Sequence, residues 1–454
     1  MQKRQLLASP SIIEGSIPKA LLSFFFPILF GSFFQQLYNT ADAVIVGRFV
    51  GKEALAAAGS GTSVFINLLV GFFVGLSNGA SVVISQYYGS KDLRKVHISI
   101  ETSMMLSFIG GTIVAVTGIL ISEWAMRLIG TPEDILILAV IYLKIYFIGM
   151  VPMFVYNMGS CILRSMGDSR TPLIILIVSC FSNIVLDILF VAVFRWGIAG
   201  AAWATVLCLA ISAVLTIFFL RRIPEKECRF HFHELRLFDK EIIKRMLYLG
   251  IPAGIQGSMY NISNIIIQSS INSLGTNVIA GNAAYGKIDS IFWMCVNSFG
   301  VAMTVFAGQN YGAVNYKRVK QGTWVCMGMC SVMTIACSII YMLFGRTFLS
   351  LFTTDDEVLD AGMMILRTIA PTFITYISIE ILSGTIRGCG VSIIPTLFIT
   401  IGICVFRILW VIFIFPLRPD VQNIMSTYPF SWILTSTMFL LYYRFGHWLH
   451  ETHV

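Results

Sequence analysis

The chain is poor in charge. Asp, Glu, Lys and Arg make up 12% of its 454 residues, 57% are hydrophobic, and mean hydropathy is +0.82. Soluble domains carry about a quarter of their residues as charged groups. The composition therefore excludes an ordinary water-soluble globule and demands apolar surface that faces lipid. Catalytic signatures are also missing: there is no HExxH, no GxSxG, no phosphate-binding glycine loop ending in lysine and no intramembrane Cys–His pair, which argues against a membrane enzyme. The ten cysteines contain no CxxC pair. Most, such as Cys180, Cys208 and Cys404, sit in apolar runs, and Cys326, Cys330 and Cys337 share one run without a companion His or acid. They read as small apolar residues. No charged n-region with a short apolar core and a cleavage site precedes the first apolar run, so the first helix is expected in the mature protein. The net charge of +8 is explained better by basic cytoplasmic loops than by nucleic acid.

What is present is length. A bilayer core about 30 Å thick needs roughly 20 apolar residues at 1.5 Å each. Twelve runs qualify, near 19–46, 54–84, 96–121, 135–160, 172–194, 197–220, 243–272, 278–307, 321–344, 358–385, 394–416 and 424–445. With the N-terminus inside, the inner loops receive Lys3, Arg4, Lys91, Arg94, Lys95, Arg170, Lys317, Arg318, Lys320 and the basic segment 221–245. The outer loops keep Arg48, Lys52, Arg127, Arg195, Arg346 and Arg418, together with the acidic run TTDDEVLD. This positive-inside bias predicts both termini in the cytoplasm and a multi-pass protein of the cell membrane.

The two halves repeat. At a shift of 223 residues SQYYGSKDLRKV (85–96) meets GQNYGAVNYKRV (308–319), LIGTPEDIL (128–136) meets LFTTDDEVL (351–359), and LRSMGDSRTP (163–172) meets IRGCGVSIIP (386–395). Arg164 pairs with Arg387, Gly167 with Gly390 and Pro172 with Pro395. Six is an even number of spans, so both halves share one orientation and are expected to be related by a pseudo-twofold axis along the membrane normal. The fold class is thus an all-α polytopic membrane protein of twelve transmembrane helices in two six-helix lobes. The expected division is 1–220, a cytoplasmic connector 221–245, and 246–454, with a cleft between the lobes.

Acids inside these runs carry the functional argument. A charged side chain near the middle of a membrane helix costs roughly 2.5–3.5 kcal/mol on insertion scales, yet Asp42 lies in YNTADAVIVG and Asp187 in SNIVLDILFV. Asn183 stands four residues before Asp187, and Tyr38 and Asn39 stand four and three before Asp42, so each acid has polar neighbours on its own helix face. The sixth run adds Thr205. At 1.5 Å per residue, Asp187 and Thr205 each lie about 12 Å below the outer surface and Asp42 about 7 Å. Carboxylate, amide and hydroxyl oxygens at these depths suit a hard cation such as Na⁺, and paired acids also suit H⁺. Helix–helix hydrogen bonding is the plainer role for a single membrane acid. The second half has no copy of this group: Asn264 and Ile267 stand near the counterpart of Asp42, and Trp410 answers Asp187. It carries instead Lys287, Asp289, Glu380 and Arg407, which fit either internal salt bridges or contacts lining the cleft.

Twelve runs in two repeats, Pro27 within the first, YNTADAVIVGRFVG, QYYG, LRSMGDSRTP and NIVLD together resemble the multidrug and toxic compound extrusion (MATE) transporters over nearly the whole chain. The lack of an acid in the seventh run is more similar to the DinF-type branch than to the NorM-type branch. The resemblance implies a V-shaped pair of lobes, alternating access, and antiport of small organic cations for Na⁺ or H⁺, with no cofactor and no metal beyond a coupling Na⁺. By the resemblance Asp42, Asn183, Asp187 and Thr205 form the cation site of the N-terminal lobe. Asn157 matches a fourth-helix asparagine that supports it, and Pro27 matches the proline at which the first helix bends. The expected surroundings are the lipid bilayer, and a monomer suffices.

Two rivals remain in the sequence. A lipid-linked oligosaccharide flippase of the related two-lobe fold would use a cationic cleft, for which Lys287, Arg367 and Arg407 are available, whereas the acids of the first half favour a cationic cargo. The C-terminal HWLHETH spaces His447, His450 and His453 by three and reads as a solvated tail before a metal site. A central ion pore fits poorly with acids confined to one lobe.

Overall fold

In the computed structural model, residues 12–59, 61–231 and 239–449 are described. Helix dominates throughout them. The chain divides into two compact units, one of residues 26–251 and a second of residues 252–454 joined by the segment that ends at Phe25.

The first unit contains most of α1 (Ile17–Phe49), then α2 (Lys52–Gly59), α3 (Gly61–Gly89), α4 (Leu93–Leu128), α5 (Glu133–Ile148), α6 (Met150–Ser165), α7 (Arg170–Asp187) and α8 (Gly197–Leu220). The second contains α9 (Lys240–Asn272) from Pro252 onward, α10 (Thr276–Gly312), α11 (Tyr316–Ser350), α12 (Asp356–Ile369), α13 (Ile377–Gly388), α14 (Ile393–Ile399), α15 (Phe406–Leu409) and α16 (Val421–Phe445). The twelve apolar runs correspond to twelve helical stretches between turns. Among the described residues nine helices are long and apolar enough to cross a bilayer, ten if the bent pair α5–α6 is one span. α9 and α16 complete the twelve and are more polar. α9 begins at Lys240, so the last residues expected in the connector are helical.

Two runs expected as single helices are broken, each by proline. α5 and α6 meet at 49° around Gly149. Pro152 cannot donate to the carbonyl of Ile148 and its ring crowds that carbonyl, so the helix turns there. In the second unit Pro371 does the same to Arg367, and a 3-10 stretch, Ala370–Thr375, separates α12 from α13. The repeat thus bends its fourth span twice, with the proline at a different position each time.

The shift of 223 residues is visible in the backbone. Lys91 and Val314 both adopt left-handed φ, 60° and 58°. Each is followed by an N-cap, Asp92 accepting from Lys95 N and Asn315 from Arg318 N. Gly167 and Gly390 have φ of 102° and 94° and donate to the carbonyls of Arg164 and Arg387. Here glycine is required by the turn that ends the fourth span.

Close packing of the first unit rests on small residues. A Cβ at Gly159 of α6 would lie 2.0 Å from Thr216 of α8, and one at Gly111 of α4 would lie 2.8 Å from Val151 of α6. Membrane helices pack through such contacts because lipid supplies little hydrophobic drive between them. This packing brings α6 and α8, which carry Asn157 and Thr205, side by side. Replacing Gly159 with Leu should therefore destabilise the protein by about 1–3 kcal/mol through overpacking. A lower thermal-unfolding midpoint in detergent, with Gly328→Leu on an open face as the unaffected control, checks this.

Candidate ion-coupling site

Five helices of the first unit supply the site. α7 places Asn183 and Asp187 one turn apart, and both are fully buried, at 0% exposure. Asp187 ends the regular helix, and the chain continues from Ile188 to Val193 as π-helix. Such widened turns are rare and occur often at functional sites. α1 brings Asp42, half-buried, with Tyr38 one turn before it. α8 brings Thr205, α5 brings Tyr142 and Tyr146, and α6 brings Tyr156 and Asn157.

Asp42 and Asp187 are near enough for each charge to act on the other. Asp42 also acts on Tyr38, Tyr142 and Tyr146, and Asp187 on Tyr142 and Cys208. The two acids thus belong to one electrostatic neighbourhood with a wall of tyrosines. Tyr38 and Asn183, each one turn from an acid, line a cavity of about 40 Å³ together with Tyr146, Asn157, Thr205 and Ser212, among others. That is room for a small ion or water, which needs roughly 10–15 Å³ of such space.

The hydrogen bonding is incomplete in a particular way. Both oxygens of Asp187, both polar atoms of Asn183 and Oδ1 of Asp42 are buried without a partner among the described residues. Several polar groups around them do have partners. Thr205 Oγ1 donates to the Ala201 carbonyl (3.1 Å), and Asn157 Nδ2 donates to the Met153 carbonyl (2.9 Å). Each keeps an oxygen able to accept or coordinate. Ser179 and Ser212 bond each other at 2.5 Å. Unpaired buried polar groups cost about 1–3 kcal/mol each and more if charged, and oxygens of this kind are ones that a small, hard cation could satisfy.

Of the residues expected here, Tyr38, Asn157, Asn183 and Thr205 line the cavity; Asp42 and Asp187 do not line it, each standing one turn along its helix from a lining residue. Asn39 is exposed and does not line it: one residue out of step with Tyr38, it turns to another face of α1. Asn157 lines the cavity from α6. Tyr142, Tyr146 and Tyr156 were not singled out from sequence. The spacing of Tyr142 and Tyr146 by four in IYLKIYF was the available signal.

The second unit differs. Asn264 and Lys287 are exposed. Asp289 accepts from Tyr285 Oη (3.1 Å) and Trp293 Nε1 (2.7 Å), each one turn away on α10. Glu380 accepts from Tyr376 Oη at 3.3 Å, faces the charge of Arg387, and lies against Gly300, where a Cβ would come within 2.1 Å of it. Neither acid forms an ion pair with Lys287 among the described residues. Of the two roles left open for these residues, a salt bridge does not hold Asp289 among the described residues; its bonds come from its own helix. His450 and His453 lie outside the described residues, and no cluster of metal-binding groups occurs within them.

Comparison with known proteins follows the duplication. A profile of the MatE family matches the chain twice, over residues 27–189 and 252–412. The chain belongs to the MatE family. Probable multidrug resistance protein YpnP of Bacillus subtilis is 31% identical to it over 445 residues, covering 96% of each chain. A FAD transporter of Shewanella oneidensis is 24% identical, covering 77% of each. Among solved structures, a multidrug resistance MATE transporter in an outward-facing conformation superposes with a TM-score of 0.89 at 22% identity, covering 97% of this chain and 98% of that one. A MOP superfamily transporter from Pyrococcus furiosus, whose binding pocket is described as reversed in polarity, gives 0.88 at 21%, covering 95% and 96%. The chain is therefore a multi-pass membrane transporter of the MATE fold.

The two kinds of acid should respond differently to neutralisation. Asp187→Asn keeps the shape and removes an uncompensated charge, so the apo protein should melt no lower than wild type. Asp289→Asn weakens two charge-assisted bonds and should cost about 1–3 kcal/mol. Thermal melts in sodium-free buffer check both. An equal fall in the two variants would mean that the protein itself satisfies Asp187.

Proposed function

We propose that this MATE protein is a secondary active antiporter that exports amphipathic organic cations in exchange for Na⁺ or H⁺ by alternating access. The observation that carries the reading is the group of buried, unpartnered oxygens on Asp42, Asn183 and Asp187 beside a small cavity. Loading of a cation there neutralises the acids. An ion moving down a 100 mV potential yields about 2.3 kcal/mol per charge, enough to bias a conformational equilibrium. Pro27 lies inside α1, fifteen residues before Asp42 on the same helix. Proline has no N–H to give to the turn before it, which makes it a natural point for α1 to bend when Asp42 is loaded.

Relatives named for multidrug resistance support the export of drug-like molecules. The absence of an acid at Asn264 supports a DinF-like variant in which coupling rests on the first unit alone. The inner-loop cations support cytoplasmic termini and a place in the cell membrane. The related transporters, and the absence of catalytic motifs, support a protein that performs no covalent chemistry. Lys287 and Arg367 are exposed rather than gathered, which weakens the flippase alternative.

In proteoliposomes, wild-type protein should extrude ethidium when driven by either an inward sodium gradient or an inward proton gradient, tested separately. Asp42→Asn and Asp187→Asn should reduce gradient-driven efflux to the protein-free rate while inserting normally. Undiminished efflux by Asp42→Asn would remove the coupling role.

A further inference from the structure

The coupling reading makes no use of the most deeply buried cation in the second unit. Arg407 lies on the four-residue helix α15, between two π-helical stretches, Thr400–Val405 and Trp410–Ile414, and is 3% exposed. Its Nε donates to Ser431 Oγ of α16 at 3.2 Å, and its guanidinium lies 4.1 Å from the ring centroid of Tyr428. No other hydrogen bond and no ion pair engages it among the described residues. The acids nearby are already occupied, Asp289 by Tyr285 and Trp293 and Glu380 by Tyr376.

The surroundings are aromatic. The charge of Arg407 acts on Tyr260, Tyr376 and Tyr428. Tyr376 packs edge-on against Trp293 (4.7 Å) and Trp432 (5.6 Å), and Trp432 in turn meets Tyr428 at 5.8 Å. Tyr376 and Trp432 are buried and form the backing, whereas Tyr260, Trp293 and Tyr428 are partly open.

A guanidinium presents five N–H donors in a planar fork that fits a carboxylate or phosphate bidentately, and here Ser431 uses one of them. An ionisable group at membrane depth without a counter-ion is costly and marks function by default. Flat rings with accessible faces beside it offer stacking. We propose that Arg407, with Tyr260, Trp293 and Tyr428, forms a second binding site for aromatic molecules that bear an oxyanion. The carboxylate or phosphate sits on the guanidinium and the ring system stacks on the open aromatic faces. The proposal rests on the protein being a transporter of organic molecules, and it extends the cargo to zwitterions and organic anions.

Binding to full-length protein in nanodiscs, measured by equilibrium dialysis, tests this with two matched pairs: riboflavin 5′-phosphate against riboflavin, and 2-naphthoate against 2-naphthalenemethanol. Wild type should bind the anion of at least one pair ten or more times more tightly than its neutral partner. Arg407→Gln should bring that pair within twofold, with neutral-partner affinity unchanged. Arg407→Lys, which keeps the charge but loses the fork, should retain a reduced preference and serves if the glutamine variant does not fold. Equal binding within both pairs by wild type overturns the proposal, as does an undiminished preference in either variant. Ethidium efflux by the same variants in proteoliposomes reports separately on the coupling reading.

Discussion

A carboxylate withdrawn into a membrane helix must be matched by something positive or protonated, and at Asp187 the protein supplies neither. Isolated ionised groups in a medium of low polarity are so costly that they are found paired, hydrogen-bonded or neutralised. Here Asn183, one turn away, is equally without partners, and Asp42 adds a second charge to the same neighbourhood. The tyrosines nearby are placed to surround these acids without neutralising them. Much of the local architecture serves this arrangement. α6 and α8 approach through Gly159, α7 loosens into a π-turn directly after Asp187, and Asn157 lines the cavity from the second limb of the bent fourth span. The compensation that is missing from the protein is what a carried cation would provide.

The duplicated half shows what the same scaffold does when that demand is absent. Its turns keep the register, down to left-handed backbone at Lys91 and Val314 and at Gly167 and Gly390. It also bends its fourth span, and its fifth span also widens into π-helix, at Trp410–Ile414, against Ile188–Val193 in the first half. Since Trp410 stands where Asp187 would be, the wide turn belongs to the inherited backbone and not to the carboxylate. The acid exploits a distortion that the fold already contained. The reverse account, in which the charge forces the helix open, does not explain why the tryptophan half is distorted as well.

Much of this was legible in the sequence because it rests on period and position. Apolar length gave the twelve helical stretches, the recurring turn motifs gave the two halves, and the i, i+4 spacing paired Asn183 with Asp187 and Tyr38 with Asp42. What could not be read was whatever depends on a bend or on a neighbour's side chain. The apolar run alone suggested a straight fourth span, whereas Pro152 turns it. Asn39 and Tyr38 look equivalent in sequence, but only Tyr38 lines the cavity. The fates of Asp289 and Glu380 were invisible for another reason. Their donors, Trp293 and Tyr376, lie one turn away on the same helix, and an aromatic residue in an apolar run gives no sign of whether its polar edge is engaged.

The distribution of satisfied and unsatisfied charge separates the two units chemically. In the first, oxygens of Asp42 and Asp187 lack donors; in the second, Asp289 and Glu380 have donors and Arg407 has no ion-pair partner among the described residues. If these groups served only to pack helices, evolution of a duplicated scaffold would have had simpler solutions, since apolar residues of similar size pack as well without the cost of burying charge. On the proposed reading, one half holds a small positive ion and the other an oxyanion on a larger, flatter molecule. Such a division would let ion and cargo bind without competing for the same side chains, and coupling between them would then have to pass through a change in the helices rather than through displacement at a shared carboxylate.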